Sequence, residues 1–572
     1  MLKKLLVAVL VLNFFALPAP AQAKRKITLL LYGGKIFTAV DDQTIAEAVA
    51  VDGERIVAVG PSAEIRAKYE GATEIDLKGK LVTPGFNDAH VHFLRGALAL
   101  LTVNLLDAKS LDEAKSRVAA KAKEVKPGEW IIGRGWDHTL WGGKFPSRKD
   151  LDALAPDNPV YLVRVDGHVA WVNSKALALA KITKTTKDPE GGAIERDADG
   201  EPTGILKETS QELVSALLPA PTAEQQTKAM TLALDLARKY GITSVQDNSG
   251  YRTTFLYREF LKRDKLTVRV SEWLDFEDSV QELKRQRDEF TAFNDDRNRL
   301  HLGAVKGYVD GTLGSKTAAM LAPFSDDDKN SGIPRRPQAE LTKMIVERDA
   351  AGFQLTLHAI GDLANRMGLN AYEAAKNARA AKAGGEKSID NPMQRLNPLR
   401  HRIEHAQVVN PSDFKRFRDL GIIASMQPSH AISDKRWAES RLGEYRVLGA
   451  YAWHLMRSYG VHVPFGTDFP VESINPYRTL YAAVARQDES GEPLGGWQPQ
   501  EKLSIEAAIR CHTFESAYAE FQENEKGVIA PGMLADLVVH SKDLLTIAPA
   551  EILTTEPVYT IFNGHIVYQS GE

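Results

Sequence analysis

The architecture of this chain is indicated by the stretch Pro84-Gly85-Phe86-Asn87-Asp88-Ala89-His90-Val91-His92. On a β-strand, side chains two positions apart project from the same face, so His90 and His92 can reach one metal ion while Val91 packs on the other side. With 14 histidines in 572 residues, chance alone gives about 0.3 such pairs, and the motif by itself is weak. How strongly the pair indicates a metal site depends on the residues at the ends of later strands.

Seven further strand-like runs follow this stretch, and most are separated by helical patterns. They lie at residues 242–246, 267–274, 302–309, 353–358, 402–405, 422–427 and 461–465. Together with 81–92 they predict an α/β fold whose core is a (β/α)8 TIM-like barrel of eight parallel strands. An open doubly wound sheet is the alternative, but no glycine-rich phosphate fingerprint follows any of these strands.

Both ends of the chain have a different pattern, in which short apolar runs alternate with turn pairs such as Asp52-Gly53 and Asn563-Gly564. We predict that residues 27–83 and 527–570 form one small composite β-sandwich domain, and that residues 84–526 form the barrel. Residues 125–210 exceed the length of a single crossover. They predict a large insertion after strand 1 that covers the barrel mouth as a lid.

Residues 1–23 have the layout of a secretory signal peptide, with Lys3 and Lys4 before an apolar run and Ala21-Gln22-Ala23 at its end. The apolar run spans residues 5–17, which is short of the ~20 residues that a membrane-spanning helix needs. We therefore predict cleavage after Ala23, a secreted or periplasmic protein, and no membrane association after cleavage.

Charge and cysteine content restrict the possible partners. Lys and Arg number 72 against 75 Asp and Glu, and no block of like charge is long enough to bind nucleic acid. The single cysteine, Cys511, excludes an intrachain disulfide and a thiolate metal cluster. A metal site would therefore use histidine and carboxylate ligands, and the expected partner is a small-molecule substrate. A homo-oligomer is compatible with the sequence.

Four candidate ligands stand at or near the ends of later predicted strands: Lys306, His358, His405 and Asp468. In a barrel the carboxyl ends of all strands converge on one mouth, so these residues can form one site with the histidine pair. Taken singly, His358 could be a hydrogen-bonded core histidine and Asp468 a helix cap. Their joint placement favours a polar site.

These motifs resemble the metal-dependent amidohydrolase superfamily, and within it the Amidohydrolase-3, YtcJ-like group. The resemblance covers nearly all of the chain beyond residue 23. Other motifs that carry it are Gly34-Lys35-Ile36, Gly191-Gly192, Asp199-Gly200-Glu201-Pro202-Thr203-Gly204, Asp310-Gly311-Thr312-Leu313-Gly314-Ser315, Gln427-Pro428 and Gly527-Val528-Ile529-Ala530-Pro531-Gly532-Met533-Leu534-Ala535-Asp536.

The resemblance implies a centre with two divalent metal ions. The implied ligands are His90, His92 and Asp468 for the first ion, and His358, His405 and a bridging, N-carboxylated Lys306 for the second. Burial lowers a lysine pKa and exposes the neutral amine that captures CO2 as a carbamate. Two alternatives remain open. Lys306 could be unmodified beside a single metal ion, or Lys316 could be the bridging lysine. Such ligands suit Zn2+ without excluding manganese, iron or nickel.

The function predicted is an exported metal-dependent amidohydrolase that cleaves a non-peptide or small amide C–N bond with a metal-activated hydroxide. Asp468 is the expected catalytic group, which relays a proton to the leaving nitrogen. A deaminase or cyclic amide ring-opening hydrolase on the same site, and a non-catalytic periplasmic binding protein, are the alternatives. The resemblance also makes His168 and His430 candidate substrate contacts, and packing of a lid is the alternative explanation.

Overall fold

The computed structural model of the chain describes residues 23–106, 108–164, 167, 169–189, 192–293, 296, 298–383 and 397–571. The predicted signal peptide therefore lies outside the described residues apart from Ala23, and so does His168. Among the helices of the described ranges, none combines the length and the apolar character that a membrane span requires.

A seven-stranded parallel sheet forms the centre of the molecule. Its strands pair in chain order, each with the next, so that the sheet curls into a barrel wall. They are β1 (Phe86–Val91), β2 (Ile242–Asp247), β3 (Arg269–Asp275), β4 (Leu300–Tyr308), β5 (Leu355–Ala359), β6 (Arg402–His405) and β7 (Ile423–Ser425). The prediction of a TIM-like parallel barrel is confirmed for these seven strands.

The eighth position of the barrel wall is filled by residues 461–469, and the sequence predicts a regular strand at 461–465 within them. The structure instead shows an irregular extended segment, joined to β7 on one side and β1 on the other by isolated parallel bridges. Pro464 has no N–H to donate to a ladder. At Gly466 the segment approaches β1 so closely that a Cβ atom would lie 2.6 Å from the backbone nitrogen of His90. These two residues explain why the barrel closes without a standard strand.

Helices follow the barrel strands and pack outside them. The helix Ala223–Lys239, which precedes β2, begins at a capping box of Thr222 and Gln225 and ends before Gly241 in the left-handed region. Further barrel helices are Phe93–Ala99, Thr253–Lys262, Val280–Phe293, Gln338–Ala350, Asp362–Ala383, Pro411–Leu420, Pro428–Arg446, Trp453–Ser458, Pro476–Ala485, Ile505–Cys511 and Phe514–Ala519.

A separate six-stranded sheet lies in the chain between β1 and β2. It begins at Val103, earlier than the predicted insertion boundary at residue 125. Trp136 and Trp171 fill its core, and their indole N–H groups donate to backbone carbonyl oxygens. Its strands are Val103–Asn104, Ile131–Trp136, Val160–Arg164, Val169–Val172, Gly192–Arg196 and Pro202–Glu208, with helices Leu111–Ala122, Arg148–Asp152, Ser174–Leu179 and Glu212–Ser215.

Two further sheets are built from the remaining segments, and they bury one shared apolar cluster. The first contains Arg25–Tyr32, Ala48–Asp52, Arg55–Gly60 and Tyr69–Asp76, beside the helix Ser62–Lys68. The second takes three strands from each end of the chain, namely Lys35–Phe37, Ile45–Ala46, Leu81–Pro84, Leu537–His540, Pro557–Phe562 and His565–Gln569. The division into domains at residues 83/84 and 526/527, and the lid role of the insertion, stay predictions.

The predicted strand 81–92 is divided at Gly85 between two sheets. Leu81–Pro84 belongs to the second terminal sheet, whereas Phe86–Val91 is β1 of the barrel. A Cβ atom at Gly85 would lie 2.2 Å from Thr243 Oγ1, so the crossing point needs a glycine. One continuous segment thus ties the terminal sheets to the barrel.

A buried ion pair makes a second connection between these parts. Arg269, at the start of β3, is 1% exposed and donates from Nε and Nη2 to the two carboxylate oxygens of Asp536, at 2.6 and 2.9 Å. Asp536 also accepts from the backbone N–H of Asn563. Because both charges are out of water, losing either partner would strand the other.

We expect Asp536→Ala to lower the free energy of unfolding by about 3–5 kcal/mol, because it leaves the Arg269 guanidinium buried without a counter-charge. The measurement is the urea midpoint of purified protein. Glu282→Ala removes one of the two carboxylate partners of the exposed Arg285 and serves as the control, with its midpoint expected to stay at the wild-type value. An Asp536→Ala midpoint equal to that of the control would contradict the anchoring role.

Candidate metal centre

The six predicted ligands meet at the carboxyl end of the barrel. The ring centroids of His90 and His405 are 5.1 Å apart, and those of His358 and His405 are 4.5 Å apart. Lys306 on β4 and Asp468 in the closing segment are 2% and 7% exposed, and only His92 among the six is partly open to solvent. The structure therefore gathers into one buried cluster residues that span almost 380 positions of the chain.

Each of the four histidines uses one ring nitrogen to donate to an oxygen of the protein. The acceptors are Glu404 Oε2 for His90 Nδ1 (2.6 Å), Asn248 O for His92 Nδ1 (3.1 Å), Gln427 Oε1 for His405 Nδ1 (2.8 Å) and Gly311 O for His358 Nε2 (2.9 Å). These acceptors fix the tautomer, so the other nitrogen of each ring keeps its lone pair. This is the hydrogen-bond pattern of metal-binding imidazoles.

The histidines are also held in the neutral form that a ligand requires. Burial, reinforced by the nearby Lys306 charge, lowers the pKa of His90 to about 4 and that of His358 to about 3. Burial and the neighbouring His358 ring likewise hold the pKa of His405 well below its usual value. At pH 7 these rings carry lone pairs and no net charge.

Asp468 lies between the imidazoles with its carboxylate ionised. Its Oδ1 atom is 3.6 Å from His90 Nε2 and 3.3 Å from His92 Nε2. Burial opposes ionisation, but the polar rings of His90 and its neighbours hold the Asp468 pKa well below its usual range. Because both rings carry their proton on Nδ1, neither Nε2 has a proton to donate to this oxygen. Lone pairs therefore converge on one point, an arrangement that a divalent cation would stabilise.

Lys306 is the second unusual group of the cluster. Its Nζ atom is fully buried and makes no hydrogen bond within the described ranges. Burial lowers its pKa to about 8, so a sizeable neutral fraction is present near neutral pH. An unpaired ammonium is costly in such a place, whereas a neutral amine or its carbamate fits it. The competitor Lys316 instead pairs with Asp326 and Asp327.

The backbone is unusual at two of the ligands. His405 has φ of 72° and Asp468 has φ of 56°, both in the left-handed region that non-glycine residues rarely adopt. Histidine and aspartate tolerate this region better than most residues, and such conformations collect at functional sites. His405 is the last residue of β6, whereas Asp468 is followed by Phe469, which still bridges to Val91 of β1.

Glu404 is a functional carboxylate that the sequence did not single out. Its Oε2 accepts from His90, and its Oε1 accepts from Arg402 Nε at 2.6 Å and from the Thr356 hydroxyl. Glu404 is fully buried with both oxygens engaged, so it orients His90 instead of binding a metal. The available signal was the spacing of Arg402 and Glu404, which puts two charges on one face of a strand that is otherwise buried.

Asp310 plays a comparable part for the loops after β4 and β5. Its carboxylate accepts from the backbone N–H groups of Ile360 (3.0 Å), Gly361 (2.8 Å) and Ala319 (2.9 Å). Burial raises the Asp310 pKa to about 7. The next residue, Gly311, supplies the carbonyl that holds His358, so Asp310 fixes the loop on which that ring rests.

His430 lies deeper in the site than a rim position. It stands in the first turn of the helix Pro428–Arg446, with Nε2 3.8 Å from Asp468 Oδ2 and its ring 5.8 Å from that of His405. Two groups of side chains could each hold a metal ion, namely His90/His92/Asp468 and His405/His430/Asp468. Within each group the potential ligand atoms lie within 4.8 Å of one another. The other candidate contact, His168, lies outside the described residues.

Comparison with protein families gives a match over most of the chain. Residues 73–568 match a model described as the amidohydrolase family. A short stretch in the first terminal sheet, residues 48–69, matches a model described as an imidazolonepropionase-like composite domain of bacteria.

Curated relatives align over nearly the whole chain. Protein LONG AFTER FAR-RED 3 of Arabidopsis thaliana is 33% identical, with 90% of this chain and 87% of the relative covered. YtcJ of Bacillus subtilis, named as an amidohydrolase, is 30% identical with 94% and 99% covered. N-substituted formamide deformylase of Arthrobacter pascens is 28% identical with 95% and 98% covered.

Solved structures agree with these alignments. A metal-dependent hydrolase from Pyrococcus horikoshii superposes with a TM-score of 0.72 at 27% identity, over 91% of this chain and 99% of that one. A second, from Pyrococcus furiosus, gives a TM-score of 0.71 at 28% identity. From its sequence, its barrel and its cluster of ligand-type side chains, this chain belongs to the amidohydrolase family.

Proposed function

We propose that this protein is a metal-dependent hydrolase that cleaves the C–N bond of a small, non-peptide amide. The proposal depends mainly on one observation. Asp468 Oδ1 lies close to the Nε2 atoms of His90 and His92, and neither nitrogen has a proton to donate to it. The orphaned Nζ of Lys306 in the same cluster supports a second element of the site. Both features fit divalent cations and are costly without them.

The proposed ligands follow the family pattern. His90, His92 and Asp468 would hold one ion, His358 and His405 a second, and Lys306 would bridge them after its neutral amine adds CO2 and releases a proton. Imidazole and carboxylate donors make Zn2+ our choice of metal. When bound, such ions lower the pKa of water and polarise a substrate carbonyl group.

Asp468 is the proposed proton carrier. It is ionised and buried, and its Oδ1 accepts no hydrogen bond from the described residues, so it can take a proton from the attacking water. As the C–O bond forms and the C–N bond breaks, Asp468 gives this proton to the leaving nitrogen. The products are then a carboxylic acid and an amine.

The substrate class is proposed from chemistry and from one relative. The deformylase relative is named for N-substituted formamides, which are small non-peptide amides. A panel of N-formyl amines, N-acyl amines, N-acyl amino acids and cyclic amides, assayed on zinc-loaded protein, tests this class. Release of ammonia from a heterocycle, or ring opening as the only activity, would favour the deaminase or cyclic amide alternative.

We also propose that the protein is exported through residues 1–23. Fractionation of expressing cells followed by N-terminal sequencing should find the protein outside the cytoplasm, beginning at Lys24. A full-length cytoplasmic product would contradict the export proposal without affecting the proposed chemistry.

Asp468→Asn tests the proton carrier. The amide keeps the shape of the carboxylate but cannot accept the proton, so we expect kcat/KM to fall by about 10²–10⁴-fold while much of the bound metal is retained. Elemental analysis of the same preparation gives the metal content. Turnover close to wild type would remove Asp468 from the proton-transfer role.

Lys306→Ala tests the bridging ligand. Wild-type protein prepared without chelator and reconstituted with zinc and bicarbonate should contain about two metal ions per chain, and the variant should contain fewer. Lys316→Ala is the matched control, since Lys316 pairs with Asp326 and Asp327 and is expected to leave the metal content unchanged. Wild-type protein without tightly bound metal would instead favour the binding-protein alternative.

A further inference from the structure

We infer that His430 is a catalytic residue that donates a hydrogen bond from Nε2 to the carbonyl oxygen of the substrate, and that it is not a metal ligand. This inference rests on the proposed hydrolase function and adds a substrate-contacting group to it. The alternative role, as a third imidazole on the second ion, is the one that distance alone would allow.

The hydrogen-bond pattern separates His430 from the four ligand histidines. Each of those rings gives its outer nitrogen to a protein oxygen, which leaves the inner nitrogen without a proton. Neither ring nitrogen of His430 makes a hydrogen bond with any residue that the structure describes. No protein acceptor therefore holds the ring proton on the outer nitrogen. A metal ligand needs such an acceptor, because it leaves the inner nitrogen free to bind the ion.

The surroundings of Nε2 favour a proton on that nitrogen. The atom is buried and lies 3.8 Å from Asp468 Oδ2, a carboxylate oxygen that prefers to face a donor. Its own helix carries a second carboxylate, Asp434, one turn further on. The Tyr451 hydroxyl (2.6 Å) and Gln407 Nε2 (3.2 Å) both donate to Asp434 Oδ2, and within the described residues no hydrogen bond joins Asp434 to His430.

The position of this donor suits the developing charge of the reaction. Nε2 lies 3.8 Å from the Asp468 carboxylate, and the His430 ring stacks on that of His405 with 5.8 Å between the ring centroids. A substrate carbonyl oxygen that lies next to Asp468 Oδ2 would be within reach of this N–H. Removing one donor of this kind from an oxyanion site costs about 10²–10³ in kcat.

The test compares three variants of the full-length, zinc-loaded protein by metal content and by turnover of the best panel substrate. His430→Ala should keep the wild-type metal content, lose about 10²–10³-fold in kcat and change KM little. His430→Gln, which retains an N–H donor, should recover part of that loss. His454 is an exposed residue of the helix Trp453–Ser458, and His454→Ala is the matched control that should behave as wild type.

A second readout does not depend on turnover. Methylphosphonate presents tetrahedral anionic oxygens, and we expect its calorimetric Kd to rise by about 10–100-fold in His430→Ala, as for a lost hydrogen bond to a charged group. His405→Ala provides the ligand reference and should lose metal, unlike His430→Ala.

The outcomes separate the two proposals. Loss of metal from His430→Ala would make His430 a ligand and overturn the inference, and unchanged kcat with unchanged methylphosphonate binding would make it a packing residue. Wild-type protein that binds no metal would contradict the proposed function itself.

Discussion

The closure of the barrel between β1 and residues 461–469 is the constraint on which the site depends. One buried carboxylate, that of Asp88, accepts from Thr467 N at 2.9 Å, from Thr467 Oγ1 at 2.6 Å and from His90 N at 3.3 Å. Burial raises the Asp88 pKa to about 7. Because Asp468 follows Thr467 and His90 stands two residues beyond Asp88, this single group sets the separation between the Asp468 carboxylate and the histidine pair.

Beneath the centre, the barrel interior is polar where most barrels of this kind are packed with aliphatic side chains. Arg402 and Glu404 are both buried, and Arg402 also donates to the Ala89 carbonyl and the Ser425 hydroxyl. A buried ion pair contributes little net stability, since desolvation offsets the attraction. What it provides here is orientation, because Glu404 holds the His90 ring and Arg402 holds Glu404.

The cluster of six candidate ligands could be predicted because residues spaced two apart on a strand, or placed at strand ends, leave a pattern that is visible in the sequence. Glu404 and Asp310 were not found, since a carboxylate that points inward reads like any surface acid until its burial is known. The depth of His430 depends on how the helix after β7 is tilted, which no spacing rule fixes. The irregular eighth segment was missed because Gly466 acts through its close approach to His90, far away in the chain, although Pro464 was a local signal against a regular strand.

The second terminal sheet joins segments that are far apart in the order of synthesis. Leu81–Pro84 pairs with Leu537–His540, and Lys35 forms an ion pair with Asp543, 508 residues away. At ribosomal rates of about 5–20 residues per second, the early strands would wait roughly 20–100 s for their partners. Contacts of such long range also slow folding. The nascent chain must therefore keep an unpaired apolar strand edge from aggregating for that interval. In the finished fold this edge is paired, so the risk is no longer visible.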